Sequence, residues 1–217
     1  MCNKMEIVFV LDCSGSMASS RSDVIGGFNR MIEDQLEEEQ EALVTTVLFN
    51  TDMHDLHDRI PLARIEPLTN NDYCPNGGTA LLDAVGETIK RIKTAHRYAR
   101  KEDLPHKTLF VVMTDGEENS SQFYSNEQIQ TMVKQQEEEH DWEFVFIGAD
   151  IDAFASARNL GIREERAVSF SKADDSFEDC FDSVSEVSYR ISRCAHKASL
   201  PDEAFADLFK HFGKKKK

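Results

Sequence analysis

"IVFVLDCSGSM", residues 7–17, decides how the rest of this chain is read. Five apolar residues, Ile7 to Leu11, run without interruption into a single carboxylate, Asp12. Two hydroxyls follow at alternate positions, Ser14 and Ser16. A continuous apolar run bounded by polar residues predicts a strand buried on both faces, the habit of a parallel sheet. An acid nucleophile, a serine nucleophile and a metal cradle could each begin at the end of such a strand.

Outward from that stretch, apolar β-branched runs alternate with segments of helical period. Val24, Ile25, Phe28, Met31 and Ile32 form one helical face, and "ALVTTVLFN" (42–50) is a second strand. "HDRIPLARI" (57–65) reads as an edge strand, because Pro61 cannot donate to a ladder. "NGGT" (76–79) breaks the chain before a helix marked by Leu82, Val85, Ile89 and Ile92. "TLFVVMTDG" (108–116) is another apolar strand ending in an acid, Asp115. A helix over 127–139, the strand "WEFVFIGAD" (142–150), a short helix over 154–160 and a brief strand over 167–170 complete the pattern. Phe177, Cys180, Phe181, Val184, Val187, Ile191 and Cys194 then share one face of a long helix.

This order predicts one doubly wound α/β domain over residues 1–198. Its sheet is mostly parallel, with one antiparallel edge strand and helices on both faces. Residues 199–217 read as an amphipathic helix with a basic tail. Phe205, Leu208, Phe209 and Phe212 fall on one face of it, and four lysines end the chain. The favoured expectation is that this helix docks back on the domain. Association with a membrane surface or a partner is the alternative.

Composition narrows the function. Hydrophobic residues at 40% and charged residues at 30% describe a globular protein, and no apolar run nears the ~20 residues that span a bilayer. The first residues carry no signal-peptide pattern, so the expected location is cytoplasmic. Five cysteines without CxxC spacing suit reduced thiols. A net charge of −15 repels phosphate backbones, and the reading excludes nucleic acid as a partner. The acidic runs at 33–41 and 137–140 read as solvated helix ends.

In a doubly wound sheet, ligands bind beyond the carboxyl ends of the strands. That edge would gather carboxylates from Asp12 and Asp115 with hydroxyls from Ser14, Ser16 and Thr79. All are hard oxygens, which suit Mg²⁺, Mn²⁺ or Ca²⁺ and disfavour zinc or copper. Alternation along an extended loop points Asp12, Ser14 and Ser16 the same way. Gly15 is expected to bend that loop, and Gly77 and Gly78 to free the backbone before Thr79. Two carboxylates balance a divalent ion, and neutral hydroxyls leave it electrophilic toward an outside oxygen, such as a partner's carboxylate.

"DCSGS", the threonine of "GGTAL" and the aspartate of "TDGEEN" together resemble the metal-ion-dependent adhesion site (MIDAS) of the von Willebrand factor A domain family. The likeness runs from Ile7 to about Cys194. It implies a Rossmann-like domain that grips a partner's acidic residue through a divalent ion. Asp12, Ser14, Ser16, Thr79 and Asp115 would be its five metal-site residues. The stand-alone form resembles bacterial members, some of them from tellurite-resistance and stress-associated operons. Family members that keep the fold and lose the ion supply the alternative of an ion-free scaffold.

Other chemistries fit less well. An aspartyl-phosphate hydrolase using Asp12 would want a second acid two residues on, where Ser14 stands. A GxSxG elbow and a P-loop are both absent. The expectation is a binding module and not an enzyme. "HDLHD" (54–58) reads as a polar hairpin more readily than as a metal site, and Cys13 as a small inward-facing residue more readily than as a redox thiol. Asp52, Glu117, Glu118, Asp150 and Asp152 are expected to form an acidic collar that selects a partner with basic groups around its carboxylate.

Overall fold

Six strands form one sheet in the computed structural model, which describes residues 4–173, 176–194, 200–209 and 212. In chain order the elements are β1 (Met5–Asp12), α1 (Arg21–Glu37), β2 (Ala42–Phe49), β3 (Met53–Pro61) and α2 (Leu81–Tyr98). They continue with β4 (Lys107–Thr114), α3 (Asn126–His140), β5 (Trp142–Ala149), α4 (Ala153–Asn159), β6 (Ala167–Phe170), α5 (Phe177–Ser192) and α6 (Asp202–Phe209).

The strand order is β3-β2-β1-β4-β5-β6, and every pairing is parallel except β2 with β3. The order therefore reverses between β1 and β4, so the crevice at their carboxyl ends is the natural ligand position. All residues of β1, β2, β4 and β5 are buried, as their unbroken apolar runs require.

Alternate strand residues feed two cores. Ile7, Phe9 and Leu11 pack with Phe28 and Met31 of α1, Phe181 and Val184 of α5, and Phe205 of α6. Val8 and Val10 pack with Val85 and Ile89 of α2, Ile129 of α3 and Ala157 of α4. Helices thus cover both faces, three to a side among the described residues.

The antiparallel edge strand begins and ends earlier than its sequence suggests. It spans Met53–Pro61, and Leu62–Arg64 turn into a short 3-10 segment. Pro61 is the last ladder residue, opposite Leu43, so its missing N–H ends the strand. "HDLHD" accordingly lies inside β3 and is not a hairpin. His57 turns inward to meet Thr46 Oγ1 at 3.1 Å and stacks on Phe28, while Asp55 pairs outward with Arg91.

Helix α6 lies on the first core with Phe205 and Phe209 buried and Leu208 partly so, and Phe212 beyond it is buried as well. Arg166 sits 4.3 Å over the Phe205 ring, and Asp202 pairs with Arg163 at 2.8 Å. The apolar face of this helix is therefore covered by the domain and not presented to a membrane. The lysines at 214–217 lie outside the described residues.

Candidate metal centre

Three loops meet beyond the carboxyl ends of β1 and β4. The loop after β1 is tied to the one before α2 by backbone bonds. Asn76 N–H donates to Cys13 O at 2.9 Å, and Gly15 N–H donates to Gly77 O at 3.1 Å. Gly77 has φ +73, a conformation that favours glycine, and a Cβ there would press on Thr51 Oγ1 at 2.9 Å. Gly15 is a different case. It does not need positive φ, and an added Cβ would meet only Gly77 O at 3.5 Å. The loop bends through its pairing with residues 76–77, so Gly15 is not the hinge its sequence suggests.

Asn119 clamps Thr79 by both backbone groups. Its Oδ1 accepts from Thr79 N–H at 3.0 Å, and its own N–H donates to Thr79 O at 3.1 Å. This clamp sets Thr79 across from Gly116, where a Cβ would meet Thr79 Oγ1 at 2.9 Å. The same position lies 3.7 Å from Asp12 Oδ2 and from Ser16 Oγ. Gly116 is thus the floor of a cradle that any larger residue would fill.

Around that floor the oxygens are bonded to each other. Ser14 N–H donates to Asp12 Oδ1 at 2.7 Å, and Ser14 Oγ and Ser16 Oγ lie 3.0 Å apart. Ser16 Oγ donates to Asp115 Oδ1 at 2.5 Å, and Thr114 Oγ1 donates to Asp12 Oδ2 at 2.5 Å. Asp12, Ser14, Thr79 and Asp115 are buried, and Ser16 opens to solvent. The structure therefore brings all five expected residues into one cradle.

Burial raises the Asp12 pKa above its ordinary value of 3.8. Hydrogen bonds from Thr114 and Ser14 oppose that shift, and the neighbouring Asp115 charge adds to it. A desolvated carboxylate facing a second one is a pair that a cation would relieve. Hard oxygens from two carboxylates and three hydroxyls fit a divalent ion of the Mg²⁺ class. Among the described residues no group of three or more His, Cys, Asp or Glu side chains is placed to hold a metal ion.

The expected collar is less uniform. Asp52, Glu117, Asp150 and Asp152 are exposed, with Asp152 capping α4 through Ala155 N–H at 3.0 Å. Glu118 instead turns inward. Its carboxylate accepts from Leu82 N–H at 2.9 Å, from Ser120 N–H and Ser121 N–H at 2.9 and 2.7 Å, and from Ser121 Oγ at 2.7 Å. It anchors the β4–α3 loop to the start of α2 and is no part of an outward rim. Burial pushes the Cys13 thiol up to about 11, so it stays protonated at neutral pH. Cys13 belongs to the first core, as a small apolar residue would.

Two residues that sequence reasoning passed over complete the centre. Tyr73 is fully buried and donates its hydroxyl to the backbone carbonyl of Asp12. A lone aromatic inside "TNNDYCPNGG" was its signal. Lys172, two residues beyond β6, places Nζ 2.9 Å from Asp115 Oδ2. The carboxyl-edge rule, applied to β6 as well as β1 and β4, marks that position.

A model of the von Willebrand factor type A domain matches residues 6–183. The chain belongs to that family. The vWA assignment agrees with solved structures that share the fold. The vWF domain of the type V pili tip protein Mfa5 from Porphyromonas gingivalis is 12% identical with a TM-score of 0.61, over 90% of this chain and 98% of that one. BatB from Bacteroides thetaiotaomicron is 15% identical with a TM-score of 0.51, over 88% and 100%. Proximal thread matrix protein 1 of the mussel byssus, solved with a zinc-occupied MIDAS motif, is 17% identical with a TM-score of 0.53, over 87% and 44%. The chain thus spans less than half the length of the byssus protein. No curated protein matches it in sequence. Domains of the vWA type commonly mediate metal-dependent protein interactions. No helix among the described residues is long and apolar enough to cross a membrane.

Proposed function

We propose that this vWA domain is a divalent-metal-dependent protein-binding module with a MIDAS formed by Asp12, Ser14, Ser16, Thr79 and Asp115. The observation that carries the reading is the Ser14–Ser16–Asp115 chain of side-chain contacts, which joins two loops 99 residues apart around one cradle. Mg²⁺, Mn²⁺ or Ca²⁺ held there would supply an electrophilic site for an oxygen from outside, and the partner would present a carboxylate. Asp12 and Asp115 supply the charge, the hydroxyls neutral donors, and Gly116 the space. The exposed acids Asp52, Glu117, Asp150 and Asp152 would favour basic groups around the partner's carboxylate.

The setting we propose is a bacterial cytoplasmic complex of the stress-response or tellurite-resistance kind, with no catalytic activity. A phosphohydrolase using Asp12 is the lesser reading, because no acid stands at position 14 to serve as its general acid or base.

Calorimetric titration of Mg²⁺ and Mn²⁺ into chelator-stripped protein tests the reading. Wild type binds and both Asp12→Ala and Ser14→Ala lose binding. A wild type that captures its partner equally with and without EDTA would make the domain an ion-free scaffold instead.

A further inference from the structure

The two-carboxylate count made from sequence omits a charge. Lys172 Nζ lies 2.9 Å from Asp115 Oδ2, on the carboxylate oxygen that Ser16 does not contact. Asp115's side chain has no solvent exposure, so this pairing is far less screened than a surface one. The lysine is held in place by its own backbone. Its N–H donates to Asp150 Oδ1 at 3.1 Å, and Asp150 adopts φ 55 while its N–H donates to Phe170 O at 2.8 Å. Asp150 Oδ2 is also 3.7 Å from the ammonium, but that carboxylate is nearly half exposed and solvent weakens its share. Asp150 is thus a positioning residue for Lys172, beyond being an exposed acid.

We infer that Lys172 is the residue that makes the loaded centre seek an acid. This rests on the metal-binding reading above. Asp12 and Asp115 alone cancel a divalent ion and leave the centre neutral. With Lys172 counted, and the carboxylate of Asp150 left out because solvent screens it, the loaded centre carries one net positive charge, which a single outside carboxylate cancels. The ammonium would have a cost in the absence of that carboxylate, because it and an ion held by Asp115 would be two cations on one carboxylate. Lys172 therefore lowers intrinsic ion affinity and couples firm ion retention to arrival of the partner's acid. Ser16 already orients the cradle-facing oxygen of Asp115, so repulsion outweighs any orienting help from the lysine.

The test compares wild type with Lys172→Met, which keeps length without charge, and Lys172→Arg, which keeps the charge. Each is confirmed folded by circular dichroism. Mn²⁺ is titrated calorimetrically at fixed pH and ionic strength, in chloride and with acetate as the carboxylate probe. Lys172→Met binds Mn²⁺ at least ~10-fold more tightly than wild type, Lys172→Arg follows wild type, and acetate improves Mn²⁺ affinity for wild type more than for Lys172→Met. Equal or weaker Mn²⁺ binding by Lys172→Met, with wild type binding, overturns the inference and leaves the metal reading standing. Mn²⁺ binding by none of the three removes the metal reading and this inference with it.

Discussion

Tyr73 donates its phenolic hydrogen to the backbone carbonyl of Asp12 from a position with no solvent exposure. The bond fixes the last residue of β1 from the loop that precedes α2, and so sets the direction in which Asp12 leaves the sheet. Tyr73→Phe keeps the ring and strands that carbonyl. Chemical denaturation should show a loss of about 1–2 kcal/mol, with weaker Mn²⁺ binding beside it. Unchanged ion affinity at reduced stability would confine Tyr73 to packing.

Asp83 does similar work for the opposite loop. From the first turn of α2 it accepts from Gln122 N–H at 2.7 Å, Phe123 N–H at 2.9 Å and Tyr124 N–H at 3.0 Å. Asp83→Ala removes all three acceptor contacts and should cost roughly 1–3 kcal/mol. Amide exchange would report it as faster exchange confined to 117–125, ahead of any change in the central strands.

The acid limb of stability should carry a contribution from His57. Burial lowers its pKa below the ordinary 6.5, with Asp72 and Glu66 opposing the shift. On acidification the unfolded chain takes up the proton first. The stabilising contribution is therefore full above pH 6.5 and lost as pH falls through the lower folded value. Denaturant midpoints between pH 7.5 and 5 should fall less steeply for His57→Gln than for wild type. Parallel curves would assign the acid sensitivity to other groups.

Arg166 and Glu143 form a buried pair that also ties the C-terminal helix to the sheet, through Asp202 at 3.4 Å and the Phe205 ring. Burial lowers the arginine's pKa from its ordinary value, against the pull of Asp202 and Glu137. Glu143→Gln leaves a buried guanidinium short of charge and should destabilise by about 3–5 kcal/mol. The double variant Arg166→Met, Glu143→Leu should recover much of that loss in the same unfolding experiment.

The continuous strands, the helix faces and the five cradle oxygens were legible because burial on both sides writes itself as unbroken apolar runs, and because the cradle uses contiguous short motifs. The 53–56 part of β3 was not, since "MHDL" carries no apolar run and belongs to the sheet only through its pairing with β2. Glu118 looked like a rim acid beside Glu117. Which of two adjacent carboxylates turns inward depends on unpaired N–H groups at the start of α2, and these are a tertiary fact. Lys172 was hidden for a related reason. Its partner lies 57 residues away across β5, and nothing near it in the chain announces a buried acid.

The placement of β1 between β2 and β4 has a consequence during synthesis. Asp12 receives Thr114 from 102 residues downstream, and Ser16 meets Asp115 across 99. A nascent chain that has emerged only as far as α2 already displays the whole "DCSGS" loop and Thr79, yet lacks the strand that closes the cradle. The five-oxygen cradle therefore closes only when β4 pairs with β1, and Lys172 joins it later, from beyond β6. A chain still short of β4 thus carries both motifs without the closed cradle.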